Sequence, residues 1–406
     1  MTLNDFDYPL PAEAIARYPL AERDLAKMLL LPKVGNTLGH LCVQDLPSCL
    51  SRGDLLVLNN VRVMPCRLLG YKIRHDQTLG CRSDVILLEP LNTEQTHWQA
   101  FLKPAKRLPP ATRILLDDEQ NRGAHLTINR VPTSDETGEN LVPGEVTLEL
   151  GQFSSAGELF EAIGQMPLPP YLGREPEALD KTTYQTSFSE SHPATHRQAG
   201  GSEPSPQSSL MAQAAPTAGL HFTPRVFDGL SQHGIQVAYV TLAVGAGTFL
   251  PVKTQDIQHH KLHSEQFFAP AETLTLINQT KRQGGRVIAV GTTVVRTLEA
   301  IARDLDPAMV TPELPETDQA GASDLFIRPG FQFRVIDGLL TNFHLPKSTL
   351  LMLVSALLEP RPEENLKEAT HQQGYQRLLA SYQEALRLGY RFFSYGDCML
   401  ILPSLP

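Results

Sequence analysis

The chain has 406 residues, 41% of them apolar, and a formal net charge of −9. This length predicts two domains, and the acidic balance excludes a surface that attracts polyanions as a whole, so any nucleic-acid contact needs a local basic patch. The five cysteines (Cys42, Cys49, Cys66, Cys81 and Cys398) are scattered and form no C-x-x-C pair. They argue for reduced thiols in a cytoplasmic protein, and against a disulfide framework or a structural zinc site.

The opening MTLNDFDYPLP has neither the basic start nor the apolar core of a signal peptide. Residues 1–60 mix turns with an apolar segment, 54-DLLVLNN-60, that ends in two asparagines. From 62 to 150 the chain reads as short strands separated by turns: 62-RVMPCRLLGYKI-73, 84-DVILLEPL-91, 97-HWQAFLK-103, 113-RILLDD-118, 125-HLTINRV-131 and 145-EVTLEL-150. Strands at this spacing predict a small antiparallel barrel or sandwich standing as its own domain.

After 150, helical and strand patterns alternate as in α/β folds. Helices are expected at 226–234, 272–285, 292–305, 347–359 and 374–388, and strands at 235–244, 286–291, 332–343 and 397–402. These elements make an open sheet flanked by helices. The run 349-TLLMLVSALLEP-360 is too short to span a bilayer and reads as a buried helix. Two stretches break the pattern, 187–213 (rich in Ser, Gln, Pro and Gly) and 305–324 (acidic, Pro-rich). Both are expected to be mobile loops, because neither buries enough apolar surface to offset its ordering entropy.

Several segments have the residues for chemistry. In 241-TLAVGAGTFLPV-252, Gly245 and Gly247 permit close backbone approach, but there is no third glycine and no following helix, so a Rossmann loop is not expected. In 214-AAPTAGLHFTP-224, a turn through Pro216, Thr217 and Gly219 places His221 at the entrance to a helix. His221 there is either an acid or base near neutral pH or a histidine satisfied by local backbone. The cluster 259-HHKLHSE-265 offers His263 and Glu265 for acid or base work, and its spacing fits no standard metal site.

At 290-VGTTVVRTLEA-300, Gly291 permits a turn, Thr292 or Thr293 can cap the helix, and Arg296 either joins the helix N-terminus in holding an anion or is a surface arginine on an ordinary capped helix. The segment 341-TNFHLPKSTLLMLVSALL-358 repeats this arrangement, leading through Asn342 and His344 to Lys347 and Ser348 at the start of an apolar helix. Asp397 stands just before an apolar strand, where a turn aspartate is the commoner case.

Taken in order, 4-NDFDYPLP-11, 18-YPLAERD-24, 53-GDLLVLNNVRVMPCRLLG-70, 166-MPLPPYL-172, 184-YQT-186, 215-APTAGLHFT-223, 244-VGAGTF-249, 263-HSE-265, 289-AVGTTVVRTLE-299 and 341-TNFHLPKSTLLMLVSA-356 resemble the S-adenosylmethionine:tRNA ribosyltransferase-isomerase family of queuosine biosynthesis. The resemblance covers nearly the whole chain. It implies an α/β domain formed by residues 1–61 and 151–406, an open mixed sheet with flanking helices, and an inserted β-barrel at 62–150. It also implies transfer and isomerisation of the ribosyl moiety of S-adenosylmethionine onto 7-aminomethyl-7-deazaguanine at the tRNA wobble position. Epoxyqueuosine, adenine and methionine are the expected products.

The partners so implied are S-adenosylmethionine, as substrate, and tRNA; no metal, prosthetic group or membrane is expected, and the enzyme is expected to be a cytoplasmic monomer. The titratable candidates within matching motifs are His221, His263, Glu265, His344 and Asp397, with base and acid unassigned. Thr217, Gly219, Gly245, Gly247, Thr248, Thr292, Thr293 and Arg296 are the candidates for holding S-adenosylmethionine; Arg62, Arg67 and Lys347 are those for tRNA phosphate. The chain departs from the family pattern at Ala243 (usually histidine), Val61 (usually threonine) and Arg328 (usually tyrosine). The Ala243 departure gives a second reading, a catalytically impaired tRNA-binding homologue.

Overall fold

The computed structural model describes residues 2–33, 35, 38–104, 108–130, 142–189, 210, 212–245, 257, 262, 264–360 and 373–404. The first part of the chain forms β1 (Lys27–Pro32), β2 (Gly39–Cys42), β3 (Leu55–Asn59), β4 (Arg67–Ile73), β5 (Leu79–Pro90), β6 (His97–Lys103), β7 (Arg113–Leu116), β8 (His125–Arg130) and β9 (Val142–Glu149). There follow α1 (Ala156–Ile163), α2 (Asp180–Thr183), α3 (Pro224–Gln232), β10 (Gln236–Leu242), β11 (Glu265–Ala269) and α4 (Ala271–Arg282). The chain ends with β12 (Val287–Val290), α5 (Thr292–Arg303), β13 (Gln319–Ser323), β14 (Gly338–Asn342), α6 (Thr349–Leu357), α7 (Gln373–Arg387) and β15 (Cys398–Leu402).

Nine strands form one mixed sheet in the order β13-β11-β10-β3-β12-β14-β15-β1-β2. Its centre is parallel, β10 with β3, β3 with β12 and β12 with β14, while β15 joins β14 antiparallel and β1 parallel. Strands from both ends of the chain therefore share one sheet. The central strands are apolar at almost every position and buried throughout, as strands covered on both faces must be. Leu55 and Val57 pack on one face with Leu274 of α4 and Leu298 of α5; Leu56 and Leu58 pack on the other with Val226 and Leu230 of α3.

The remaining strands close a barrel in the order β4-β5-β6-β9-β8-β7. Here apolar residues alternate with polar ones, and Leu68, Val85, Trp98, Leu102, Ile114, Leu126 and Val146 fill the interior. Phe160 of α1 meets Trp98 edge-on with ring centroids 5.7 Å apart, so this helix, which lies past the expected barrel boundary at 150, shares the barrel's core.

Four expectations need correction. Strands β1 and β2 lie in a region expected to mix turns with a single apolar segment, and the acidic stretch 305–324 supplies an edge strand, β13, paired antiparallel with β11. The strand expected at 332–343 is only Gly338–Asn342, because the Glu299 carboxylate, not a neighbouring strand, takes the N–H groups of Arg334, Val335 and Ile336. The ends of the expected 187–213 loop are anchored, with Phe188 and Ala212 buried; residues 190–209 and 211 lie outside the described residues. No helix among the described residues is long and apolar enough to cross a membrane.

Candidate functional site

The parallel strands β10, β3, β12 and β14 all end on one edge of the sheet, and the antiparallel register brings the starts of β11 and β15 to that same edge. Open α/β sheets bind ligands at such carboxyl edges. Polar residues gather here, and the chain leaves for the barrel from the same place, after Asn59 and Asn60.

The two asparagines that close β3 act as side-chain rungs. Asn59 donates from Nδ2 to the Leu242 carbonyl at 3.1 Å, while its Oδ1 accepts from Leu242 N and Val61 N, each at 3.1 Å. Its Nδ2 also lies 3.4 Å from Thr293 Oγ1, and Asn60 Oδ1 accepts from Thr241 Oγ1 at 2.7 Å. The sequence signal, two amides ending an apolar run, was visible, but its use was not.

One strand further on, Asn342 organises the expected histidine turn. Thr217 and His221 lie in a 3-10 turn just before α3. Thr217 Oγ1 donates to Asn342 Oδ1 at 2.8 Å, and Asn342 Nδ2 stands 3.4 Å from His221 Nε2 and 3.2 Å from the Phe393 carbonyl. His221 is buried, and desolvation pushes its pKa down to about 4, only partly offset by a hydrogen bond with the backbone of Arg23. The ring is neutral at pH 7 and so accepts a proton without first having to lose one. Gly219 serves close packing: a Cβ there would stand 3.0 Å from the Phe188 ring and 3.1 Å from Thr186.

His344 is not brought to His221. Its Nε2 pairs with Thr341 Oγ1 at 2.9 Å, and Thr341 and Asn342, being successive strand residues, point to opposite faces of the sheet. Burial pushes the His344 pKa down to about 3. Asp397 is a strut: its buried carboxylate accepts from Lys27 N at 2.9 Å and Arg391 N at 2.7 Å, and burial raises its pKa against those bonds.

Arg296, expected to hold an anion together with the helix N-terminus, is paired within the chain. Arg296 is buried and reaches Glu265 at 2.5 Å, with further donations to the Leu325 and Ser323 carbonyls at 3.3 Å. Glu265, expected as an acid or base, takes that charge and accepts from Gly245 N at 3.2 Å. The pair thus tethers the start of the glycine segment. Nor do Thr292 and Thr293 cap α5: Gly291, at φ 90°, is the N-cap residue, and no side chain caps the helix. Gly247, Thr248 and His263 lie outside the described residues.

The three cations expected at phosphate are each matched by carboxylates. Arg62 meets Glu161 at 3.0 Å, Arg67 meets Asp84 and Glu175 at 2.8 Å, and Lys347 meets Asp7 at 2.9 Å. A cavity of about 590 Å³ opens instead between the 21–24, 181–187 and 222–225 segments, with Arg23 in its wall. Behind Arg23 a recess of about 10 Å³, room for about one water, reaches His221 and Arg391. Among the described residues no group of three or more His, Cys, Asp or Glu side chains is placed to hold a metal ion.

Fold and edge together define an α/β ligand-binding protein with a β-barrel built out from its binding edge. Residues 3–401 match the family described as queuosine biosynthesis protein, and the chain belongs to that family. It is 40% identical over 404 residues to the S-adenosylmethionine:tRNA ribosyltransferase-isomerase of Pelobacter propionicus, covering 99% of this chain and 100% of that one. It is 40% identical over 402 residues to the protein of the same name from Pelotomaculum thermopropionicum, again covering 99% and 100%. Among solved structures, it is similar to an S-adenosylmethionine tRNA ribosyltransferase from Thermotoga maritima, with 28% identity, 98% and 100% coverage and a TM-score of 0.47.

Proposed function

We propose that the chain transfers the ribosyl moiety of S-adenosylmethionine to 7-aminomethyl-7-deazaguanine at the tRNA wobble position and isomerises it. The products are epoxyqueuosine-tRNA, adenine and methionine. The observation that carries this reading is 40% identity sustained over 404 residues to a relative of that name, with no part of either chain left out beyond 1% of this one.

The reaction needs a base for the ribose carbon beside the sulfonium and an acid for departing adenine. His221 is our candidate for the base, since it is neutral and held by Asn342. Thr217, Gly219, Gly245, Gly247 and Thr248 are assigned to the walls of the S-adenosylmethionine site. Thr292 and Thr293 present the uncapped start of α5 to the methionine carboxylate. Arg296 supports that site through Glu265 and Gly245. Arg62, Arg67 and Lys347 remain candidates for the tRNA side. In this reading S-adenosylmethionine is a substrate, no metal is required, and the protein works as a cytoplasmic monomer.

The test is incubation with S-adenosylmethionine and precursor-modified tRNA, followed by chromatography of the nucleobase and the digested tRNA. Adenine released together with epoxyqueuosine is the expected result. Tight tRNA binding without adenine release would overturn the assignment.

A further inference from the structure

The cavity beside Arg23 lies outside the sheet-edge cluster, and its charge is unbalanced. Arg225 has its charge matched by carboxylates, with Asp24 at 2.7 and 2.8 Å and Glu22 at 2.9 Å. Arg23 differs: its guanidinium donates to two carbonyl oxygens, of Gln185 at 2.8 Å and Thr182 at 3.0 Å, and among the described residues no carboxylate pairs with it. Three cations (Arg23, Lys181 and Arg225) line the cavity against two carboxylates, Glu22 and Asp24. In a chain of net charge −9 this is a local positive site. A guanidinium has five N–H groups, so Arg23 keeps donors for an oxyanion.

Five residues earlier the same segment presents Tyr18. It is 48% exposed, although its ring is fixed on both sides of its chemistry. The Arg174 guanidinium lies 4.2 Å from the ring centroid, and the hydroxyl donates to Glu177 at 2.6 Å. Arg174 is itself held by both oxygens of Asp180 at 2.7 Å. A cation lies over the ring, the hydroxyl is held and about half of the residue is exposed, which makes a preorganised stacking platform.

We propose that this surface, Tyr18 with the Arg23 cavity, docks a single-stranded loop of the tRNA. A backbone phosphate sits on Arg23 and an unpaired base stacks on Tyr18. Aromatic faces and unmatched cations are what single-stranded nucleic acid recognises. Hydroxyls of Thr182 and Ser187 in the cavity wall suit ribose hydroxyls. The recess behind Arg23 also reaches His221, so the docking surface adjoins the proposed base. The inference rests on the proposed tRNA substrate and adds where its loop binds.

Fluorescence anisotropy of the full chain with labelled substrate tRNA, at several salt concentrations, tests it, with S-adenosylmethionine affinity measured in parallel. Tyr18→Ala should weaken tRNA binding about tenfold and Tyr18→Phe less than about twofold, because the stack survives loss of the hydroxyl. Arg23→Gln should weaken tRNA binding about fivefold and reduce the salt slope by about 1, and Arg23→Lys should recover most of the slope. S-adenosylmethionine affinity should not change in any variant. Unchanged tRNA affinity in Tyr18→Ala and Arg23→Gln, or a loss confined to S-adenosylmethionine, would overturn the proposal. Wild-type protein that releases no adenine sinks the parent reading whatever the variants do; active wild type with unaffected variants sinks this inference alone.

Discussion

The carboxyl edge of the sheet and the cavity beside Arg23 are both polar, yet they treat charge in opposite ways. At the edge the central charge is matched: Arg296 has Glu265, and the neighbouring amides Asn59 and Asn342 are saturated by backbone and hydroxyl groups. In the cavity, Arg23 rests on carbonyl dipoles, and among the described residues no carboxylate pairs with its charge. The first arrangement fixes atoms, as a small substrate requires. The second leaves electrostatic work undone until an anionic partner arrives.

The sharpest way to break the contrast is to unbalance the edge. Arg296→Ala leaves the Glu265 carboxylate buried without its cation, and removing one member of such a pair costs about 3–5 kcal/mol. Urea unfolding should show that loss, and turnover should fall with it because Gly245 loses a tethered acceptor. Glu265→Gln with Arg296→Met removes both charges and should recover a large part of the stability. A single variant within about 1 kcal/mol of wild type would show that the pair is not desolvated as its burial implies.

The buried histidines sharpen the same point through pH. His221 and His344 have folded pKa values of about 4 and about 3, below their ordinary value of 6.5. The unfolded chain therefore takes up protons first as pH falls. Their contribution to stability is complete above pH 6.5 and is lost as the pH falls from there toward 4. For His221 the loss is on the order of 3 kcal/mol. The urea midpoint should drop between pH 7 and 4.5, less steeply in His221→Gln and His344→Gln. A slope identical in these variants and wild type would place the acid sensitivity elsewhere.

Asn342→Ala tests positioning. The substitution leaves Thr217 and His221 without their common partner. Turnover should fall about tenfold, within the range by which a positioned acid or base accelerates a reaction, with KM for S-adenosylmethionine changing much less. An unaltered kcat would remove the Thr217–Asn342–His221 chain from the mechanism.

Much of this organisation was legible in the sequence, for identifiable reasons. The six barrel strands alternate apolar and polar residues between turns, and the pattern survives because each strand has one wet face. The helices α3, α4, α5 and α7 each appeared within two or three residues of their bounds. What stayed hidden depends on partners distant in the chain. Strand β13, 319-QAGAS-323, has almost no apolar signal and exists because β11 offers it an edge. Lys27–Pro32 is apolar enough for a strand, but its place beside the edge strand β2 depends on the parallel partner Cys398–Leu402. Among site residues, His221 and Thr217 could be nominated by type and turn chemistry. The commitment of Arg296 to Glu265 could not, since the two lie 31 residues apart and on different elements.

The smallest effect is expected at Ala243, where the family resemblance leads to the expectation of a histidine. The backbone here is fixed on its own account: Ala243 N donates to the Gln266 carbonyl at 2.9 Å, one step beyond the β10–β11 ladder. The next carbonyl, of Val244, accepts from Gln213 N and Ala214 N at 2.9 and 3.2 Å. The glycine segment is thus positioned without help from a side chain at 243, which is itself only half-buried. Ala243→His should change kcat/KM by less than about threefold, below the 1.4 kcal/mol that a tenfold effect represents. A gain of tenfold or more would mean that the native chain lacks a working part, and would favour the impaired homologue over the active enzyme.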